Sequence, residues 1–311
     1  MTGAVPGSTG AVPPGLELRP ARRRARRYSG RSLAIAGIST VVFFGTLGLI
    51  AVNSPGWEQV QRSFFDIDNF IESAPNIIAR FEVNVRLFLI AEVLILGLGL
   101  VLAVMRSLPG PALFPVRLLA TMYVDLFRAV PGILIIFLLG LGIPGMRIPG
   151  VPNDPFFLGV VALTLIYSAY VSEVYRAGIE SIHPSQAAAA RSLGLSQFQA
   201  IRHVVLPQAV RRVIPPLLND FIGLQKDTVL VSLIGVVEIF RQSQIRQSAT
   251  FNFTPYLVTA LVFLVVTIPL ARFTDWLVAR QRNQGSGPRA SATSTSGRRG
   301  RLWGFGGRRD Q

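Results

Sequence analysis

Residues 33–52 form a run of 20 side chains without a single charge. At 1.5 Å of rise per residue such a run crosses the hydrocarbon of a bilayer as a helix. Five more apolar runs follow, at 87–105, 119–143, 156–174, 213–237 and 256–271, so the chain is predicted to be an all-α integral membrane protein, a bundle of about six transmembrane helices. A cleaved signal peptide would have a shorter apolar core and a small-residue cleavage site soon after it, whereas Asn53, Ser54, Pro55 and Gly56 follow a full-length run. The first run is therefore expected to stay as an anchor.

Composition agrees with a bilayer as solvent: 50% hydrophobic residues, 15% charged residues and a mean hydropathy of +0.47 exceed the range of soluble domains. The net charge of +15 raises the question of nucleic acid. The arginines, however, sit at the chain ends and between apolar runs and form no single basic face, so no nucleic-acid partner is expected. The absence of cysteine excludes disulfides and thiolate metal sites, and two histidines, His183 and His203, are too few to suggest a metal. No G-x-x-x-x-G-K-[ST] loop is present, so the chain has no phosphate-cradling site of its own.

Residues 1–31, with five of the six positions from Arg22 to Arg27 occupied by arginine, and the Gly-, Ser- and Arg-rich stretch 280–311 lack the pattern of a packed element. Both are expected to be disordered basic segments, and the tail arginines can meet anionic lipid headgroups. The remaining expected divisions are a span at 32–53, an extracytoplasmic loop at 54–83 and a transmembrane domain at 84–279. With the N-terminus inside, the inside connections collect Arg106, Arg117, Arg176, Arg191, Arg202, Arg211 and Arg212 as well as both arms, while the outside connections hold only Arg62, Arg80, Arg86, Arg147, Arg241 and Arg246. That asymmetry places both termini in the cytoplasm of a multi-pass cell-membrane protein.

The longest inside connection, 176–212, is patterned like structure. Pro184 and Ser185 signal a helix start before residues 186–193, Gly194 is a C-cap, and Ser196 caps a second short helix. Phe198, Ile201, Val204 and Val205 fall at helical spacing, giving a face expected to lie against the span ends. The first helix, with Gln186 and an alanine run to Ala190, is a smooth knob that lets a partner's groove approach closely, with Arg191 to set register.

At these residues the sequence resembles the permease subunits of ATP-binding-cassette importers, whose loop signature reads Glu-Ala-Ala, three residues, Gly, nine residues, Ile-x-Leu-Pro. Ala189 and Ala190 fill the alanine places, Gly194 the glycine, and Val204, Val205, Leu206 and Pro207 the closing tetrad, while Ala188 stands where the family has its acid. Segments 127–131, 168–179, 226–230 and 234–238 are similar to the branch of the histidine, glutamate and glutamine permeases. Val130 and Val229 stand in place of its usual Thr and Ser. The resemblance, over about 84–279, implies a five-helix core plus one added N-terminal span, and a cytoplasmic coupling helix docking on the ATPase through Gln186, Ala188, Ala189, Ala190, Arg191, Gly194, Leu195, Leu206 and Pro207. It also implies two ATPase subunits carrying ATP-Mg, a second permease chain, an extracytoplasmic substrate-binding protein, and no catalytic residue or cofactor in this chain.

Charges within the spans bear on the solute. A charge at the bilayer centre costs roughly 2.5 to 3.5 kcal/mol on insertion scales, so one that persists usually lines a path or pairs for structure. Asp125 and Arg128 are three apart and can share a helix face. Lys226 and Asp227, adjacent and therefore about 100° apart on a helix, follow Pro215, Pro216 and Gly223 in a segment expected to be broken, where helix ends can hold a carboxylate or an ammonium. Arg128, Glu173, Lys226 and Asp227 are the candidate path for a polar amino acid, and the two cations incline the choice towards glutamate. Structural ion pairing of the same residues is the alternative. An ion-gradient-driven secondary carrier would use intramembrane Asp and Glu as coupling sites, but it needs no docking loop, and a membrane-anchored scaffold or sensor would transport nothing.

Overall fold

The computed structural model describes residues 30–285. The basic segments expected at 1–31 and 280–311 thus lie outside the described residues, apart from 30–31 and 280–285, which are helical. Among the described residues every regular element is a helix: α1 (Gly30–Val52), α2 (Trp57–Phe64), α3 (Ile67–Ser107), α4 (Phe114–Ala129), α5 (Gly132–Phe137), α6 (Ile143–Met146), α7 (Pro155–Glu180), α8 (Pro184–Ser192), α9 (Gln197–Ala200), α10 (Leu206–Asp227), α11 (Ile239–Thr250) and α12 (Thr254–Gly285), with short 3₁₀ and π turns between some of them. Two units are distinguished, residues 1–59 and 60–311. In the first, α1 is long and apolar enough to cross a membrane, and its large side chains, Phe43 and Phe44 among them, are exposed. Lipid is the solvent that suits such a surface.

Four helices among the described residues pass the length and apolarity test, or five if the bent pair α4 and α5–α6 is one span, against six expected. Two of the expected runs are not straight spans. Residues 119–143 are interrupted at Val130–Pro131, where the chain turns by 104° between α4 and α5–α6. The ring of Pro131 disfavours helical backbone at the residue before it, and Val130 is accordingly extended (φ −81°, ψ 130°). Residues 213–237 are divided likewise: α10 begins earlier, at Leu206, ends at Asp227, and gives way to a 3₁₀ turn over Thr228–Ile234 that Gly235 closes with φ +100°. The expected loop at 54–83 is mostly helical, because α3 starts at Ile67, capped by the Asp66 side chain, and runs through Pro75 into the membrane segment.

The core lies between α3 and α7. Leu87, Ala91 and Ile95 of α3, Leu158, Leu163 and Ile166 of α7, and Leu224 and Val231 from the α10 region form one buried cluster. Helices in lipid gain little from apolar transfer and associate through close packing of small residues. A Cβ on Gly99 would stand 2.7 Å from Val171 Cγ1, and one on Gly178 would collide with Val213 Cγ2. Those two contacts set the spacing of α7 against α3 and α10. α12 and α11 flank α3 on another side, with Ile77, Ile239 and Val258 buried between them.

Candidate functional site

The loop expected to dock a partner forms a helix–turn–helix hairpin between α7 and α10. α8 opens with Pro184 at its first turn, where a missing N–H costs nothing, and His183 Nδ1 accepts from the Ser185 N–H at 3.2 Å. It closes on Gly194 in the left-handed region (φ +92°), whose N–H donates to Arg191 O at 2.9 Å. α9 starts with a reciprocal capping box: Ser196 Oγ accepts from the Gln199 N–H at 3.3 Å, and Gln199 Oε1 accepts from the Ser196 N–H at 2.8 Å. A π turn over Ile201–Val205 leads straight into α10. Pro207, which has no N–H to offer the preceding turn, follows that wider turn at the head of the helix.

The hairpin's inner and outer faces differ from the spacing-based expectation. Phe198 (68% exposed) and Ile201 (44%) project outward, and Ala200 is the side chain buried in α9. The π turn breaks the register in which Phe198, Ile201, Val204 and Val205 would share a face; only Val204 and Val205 are half-buried. In α8, Gln186, Ala188, Ala189 and Arg191 are exposed, as is Leu193 at 82%, whereas Ala190 is buried and Leu195 half-buried. Leu195 also donates its N–H to Ala190 O at 3.3 Å, so these two hold the turn and do not face outward. Gly194, Leu206 and Pro207 are exposed.

The expected path residues fall into two groups. Glu173, on α7, is the hub of the first. Arg106 at the end of α3 reaches Glu173 Oε1 at 2.7 Å, Arg128 reaches the same oxygen at 3.4 Å, and Arg176 holds Oε2 at 2.9 Å while pairing with Glu180 at 2.7 Å. Three guanidinium groups and two carboxylates leave the group cationic. Arg128 is its most open arginine, with 44% of its side chain exposed, and its guanidinium lies 5.9 Å from the Tyr170 ring centre. Arg128 pairs with Glu173 although Asp125 can share its helix face: the elbow at Val130–Pro131 puts Arg128 at the end of α4 near α7, while Asp125 is exposed. Beside the group, Glu173, Gly178, Ser181, Arg212 and Pro216 line a cleft of about 380 Å³.

Lys226 and Asp227 make the second group, at the end of α10. Tyr167 of α7 donates its hydroxyl hydrogen to Asp227 Oδ2 at 2.7 Å, and Lys226 is exposed. Sequence spacing had placed neither Arg106 nor Tyr167 in a site. Arg106 stands in a basic connection that reads as topology, and Tyr167 stands in an apolar run.

Residues 95–283 match the family described as binding-protein-dependent transport system inner membrane components. The chain belongs to this family. It is thus a permease subunit of the ATP-binding-cassette importer class, a transport component and not an enzyme, and the family works with an ATPase, where ATP-Mg is used, and with a substrate-binding protein. Among curated relatives, the permease is 39% identical over 184 residues to a probable glutamine ABC transporter permease of Bacillus subtilis, covering 59% of this chain and 82% of that one. It is 33% identical over 207 residues to a glutamate transport system permease of Corynebacterium efficiens, covering 63% and 90%. Among solved structures it resembles a chain of an amino acid ABC transporter crystallised with histidines, at 32% identity and a TM-score of 0.63, covering 69% of this chain and 98% of that one.

Proposed function

We propose that the permease forms, with a second copy or a homologous chain, the translocation path of an importer for a polar amino acid, glutamate or a close relative, and that its 184–207 hairpin docks on the ATPase. The observation that carries the reading is the hairpin itself. Its ends are fixed by caps, its Gly194 turn requires a positive φ, and its outer surface offers Gln186, Ala188, Ala189 and Arg191 beside exposed Leu193 and Phe198. Small side chains admit a close partner, exposed apolar ones give it area to bury, and with Ala188 in the acid's place shape and Arg191 set the fit. Both termini are cytoplasmic in this reading, two ATPase subunits dock below, and residues 84–279 are the transporting core.

Arg128, Glu173, Lys226 and Asp227 line the path. Glu173 serves chiefly to hold arginines, so the charge left for a solute is positive: half-open Arg128 and exposed Lys226 suit a carboxylate, and Asp227 suits an ammonium. The glutamate- and glutamine-named relatives support this class of solute. Alternating access follows if ATPase closure moves the hairpin and, through α7 and α10, tilts the bundle between two arrangements.

Uptake of labelled glutamate, glutamine and arginine into vesicles holding the permease with its ATPase and binding protein tests the reading. ATP-dependent uptake that falls in Arg128→Ala and Lys226→Ala, with assembly retained, is expected. Uptake driven by an ion gradient without ATP would instead establish a secondary carrier, and unchanged uptake in both variants would remove these residues from the path.

A further inference from the structure

A buried polar knot lies behind the second group of path residues. Asn84 of α3, 2% exposed, uses its whole amide: Nδ2 donates to Thr228 Oγ1 at 3.0 Å and to Glu238 Oε2 at 2.9 Å, and Oδ1 accepts from the Ile239 N–H at 3.2 Å. Glu238, fully buried, accepts further from the N–H groups of Phe240 at 3.0 Å and Arg241 at 2.8 Å. Thr228 Oγ1, which accepts from Asn84, donates in turn to Gln225 O at 2.8 Å. One side chain therefore ties together both ends of the segment 228–239, the 3₁₀ turn and its αL glycine included.

We propose that Asn84 is a positioning residue for the solute path, fixing Lys226 and Asp227 by clamping the backbone immediately after them. The proposal rests on the reading that those two residues line the path. The 3₁₀ turn has weaker hydrogen-bond geometry than an α-helix and no regular continuation, so its shape depends on what holds its ends. Tyr167 grips Asp227 from α7, and Asn84 grips the adjoining Thr228 from α3. The last turn of α10 is thereby located against both central helices. Lys226, which no side chain among the described residues holds directly, takes its direction from that clamp. Deleting the amide leaves Thr228, Glu238 and the Ile239 N–H each short of a buried partner, and a segment in that state shifts or admits water to regain the lost bonds.

The chain has no cysteine, so Lys226→Cys carries a single thiol whose reaction with a charged methanethiosulfonate reports the exposure of position 226. The measurement uses the assembled transporter in vesicles. Ala112→Cys, on the exposed turn between α3 and α4 and outside the hairpin, serves as the reference thiol. Asn84→Ala and Thr228→Val are each expected to change the Lys226→Cys rate by about tenfold, equivalent to about 1.4 kcal/mol, with the Ala112→Cys rate unchanged and Thr228→Ser behaving as the parent. If Asn84→Ala does not assemble, the Thr228→Val and Thr228→Ser pair decides. The same Lys226→Cys rate in all backgrounds would overturn the proposal, as would equal changes at both thiols, which signal general loosening. A Lys226→Cys thiol that is unreactive with Asn84 in place would instead refute the path reading beneath it.

Discussion

The hairpin and the Glu173 group sit at opposite ends of the same short stretch of chain, yet they are held by different means. The hairpin is secured by bonds to near neighbours: His183 with Ser185, Ser196 with Gln199, Gly194 with Arg191. The Glu173 group is secured by arginines 67 residues before it on α3, 45 residues before it on α4, and three residues on along α7. A locally fixed element keeps its shape while its flanks move, which suits a part that carries motion from a partner. An element fixed by three helices at once changes only when those helices do, which suits the part that responds.

Glu173→Ala should have the largest effect on the folded bundle, since it leaves Arg106 and Arg128 without their carboxylate in a partly buried site. A loss of about 3–5 kcal/mol is expected for breaking such a group, seen as a collapse in assembled yield and in thermal midpoint in detergent. A loss no larger than that of a hairpin substitution would break the contrast. Gly178→Val should follow, at about 1–3 kcal/mol for overpacking, because the new side chain meets Val213 of α10. Gly194→Ala should cost about 1–2 kcal/mol by forcing a Cβ into the left-handed region, confined to the hairpin: ATP-coupled uptake slows while the bundle's thermal midpoint holds. Ala188→Glu should be smallest. It sets a carboxylate three residues before Arg191 on an exposed helix, worth about 0.2–0.5 kcal/mol, and should leave the midpoint unchanged while altering only the affinity for the ATPase.

The same division explains what could be read from the chain before its structure. The caps of α8 and α9 are residues within four positions of what they bond, so Pro184, Gly194 and Ser196 announced the hairpin directly. Apolar length announced α1, α3, α7 and α12. Val130–Pro131 was also a local signal, but it lay inside a long apolar run, and the run concealed the elbow that moves Arg128 to Glu173. The register of α9 failed for a comparable reason: a helical wheel presumes 3.6 residues per turn, and the π turn before Pro207 departs from it. Arg106, Tyr167 and Asn84 carry no signal at short range. Their partners lie 60 to 155 residues away, and only the packing of α3 on α7 and α10 brings them together.

The central claim is that the hairpin couples ATP hydrolysis to transport while the bundle stands independently of it. Gly194→Pro tests it most directly, because proline fixes φ near −65° where the turn requires +92°, and it removes the N–H that donates to Arg191 O. Uptake, ATPase association and membrane insertion are measured side by side on the reconstituted transporter. The account predicts that insertion and thermal midpoint stay as in the parent while ATPase association and ATP-driven uptake are lost. ATP-driven uptake at the parental rate, with the variant hairpin in place, would contradict it.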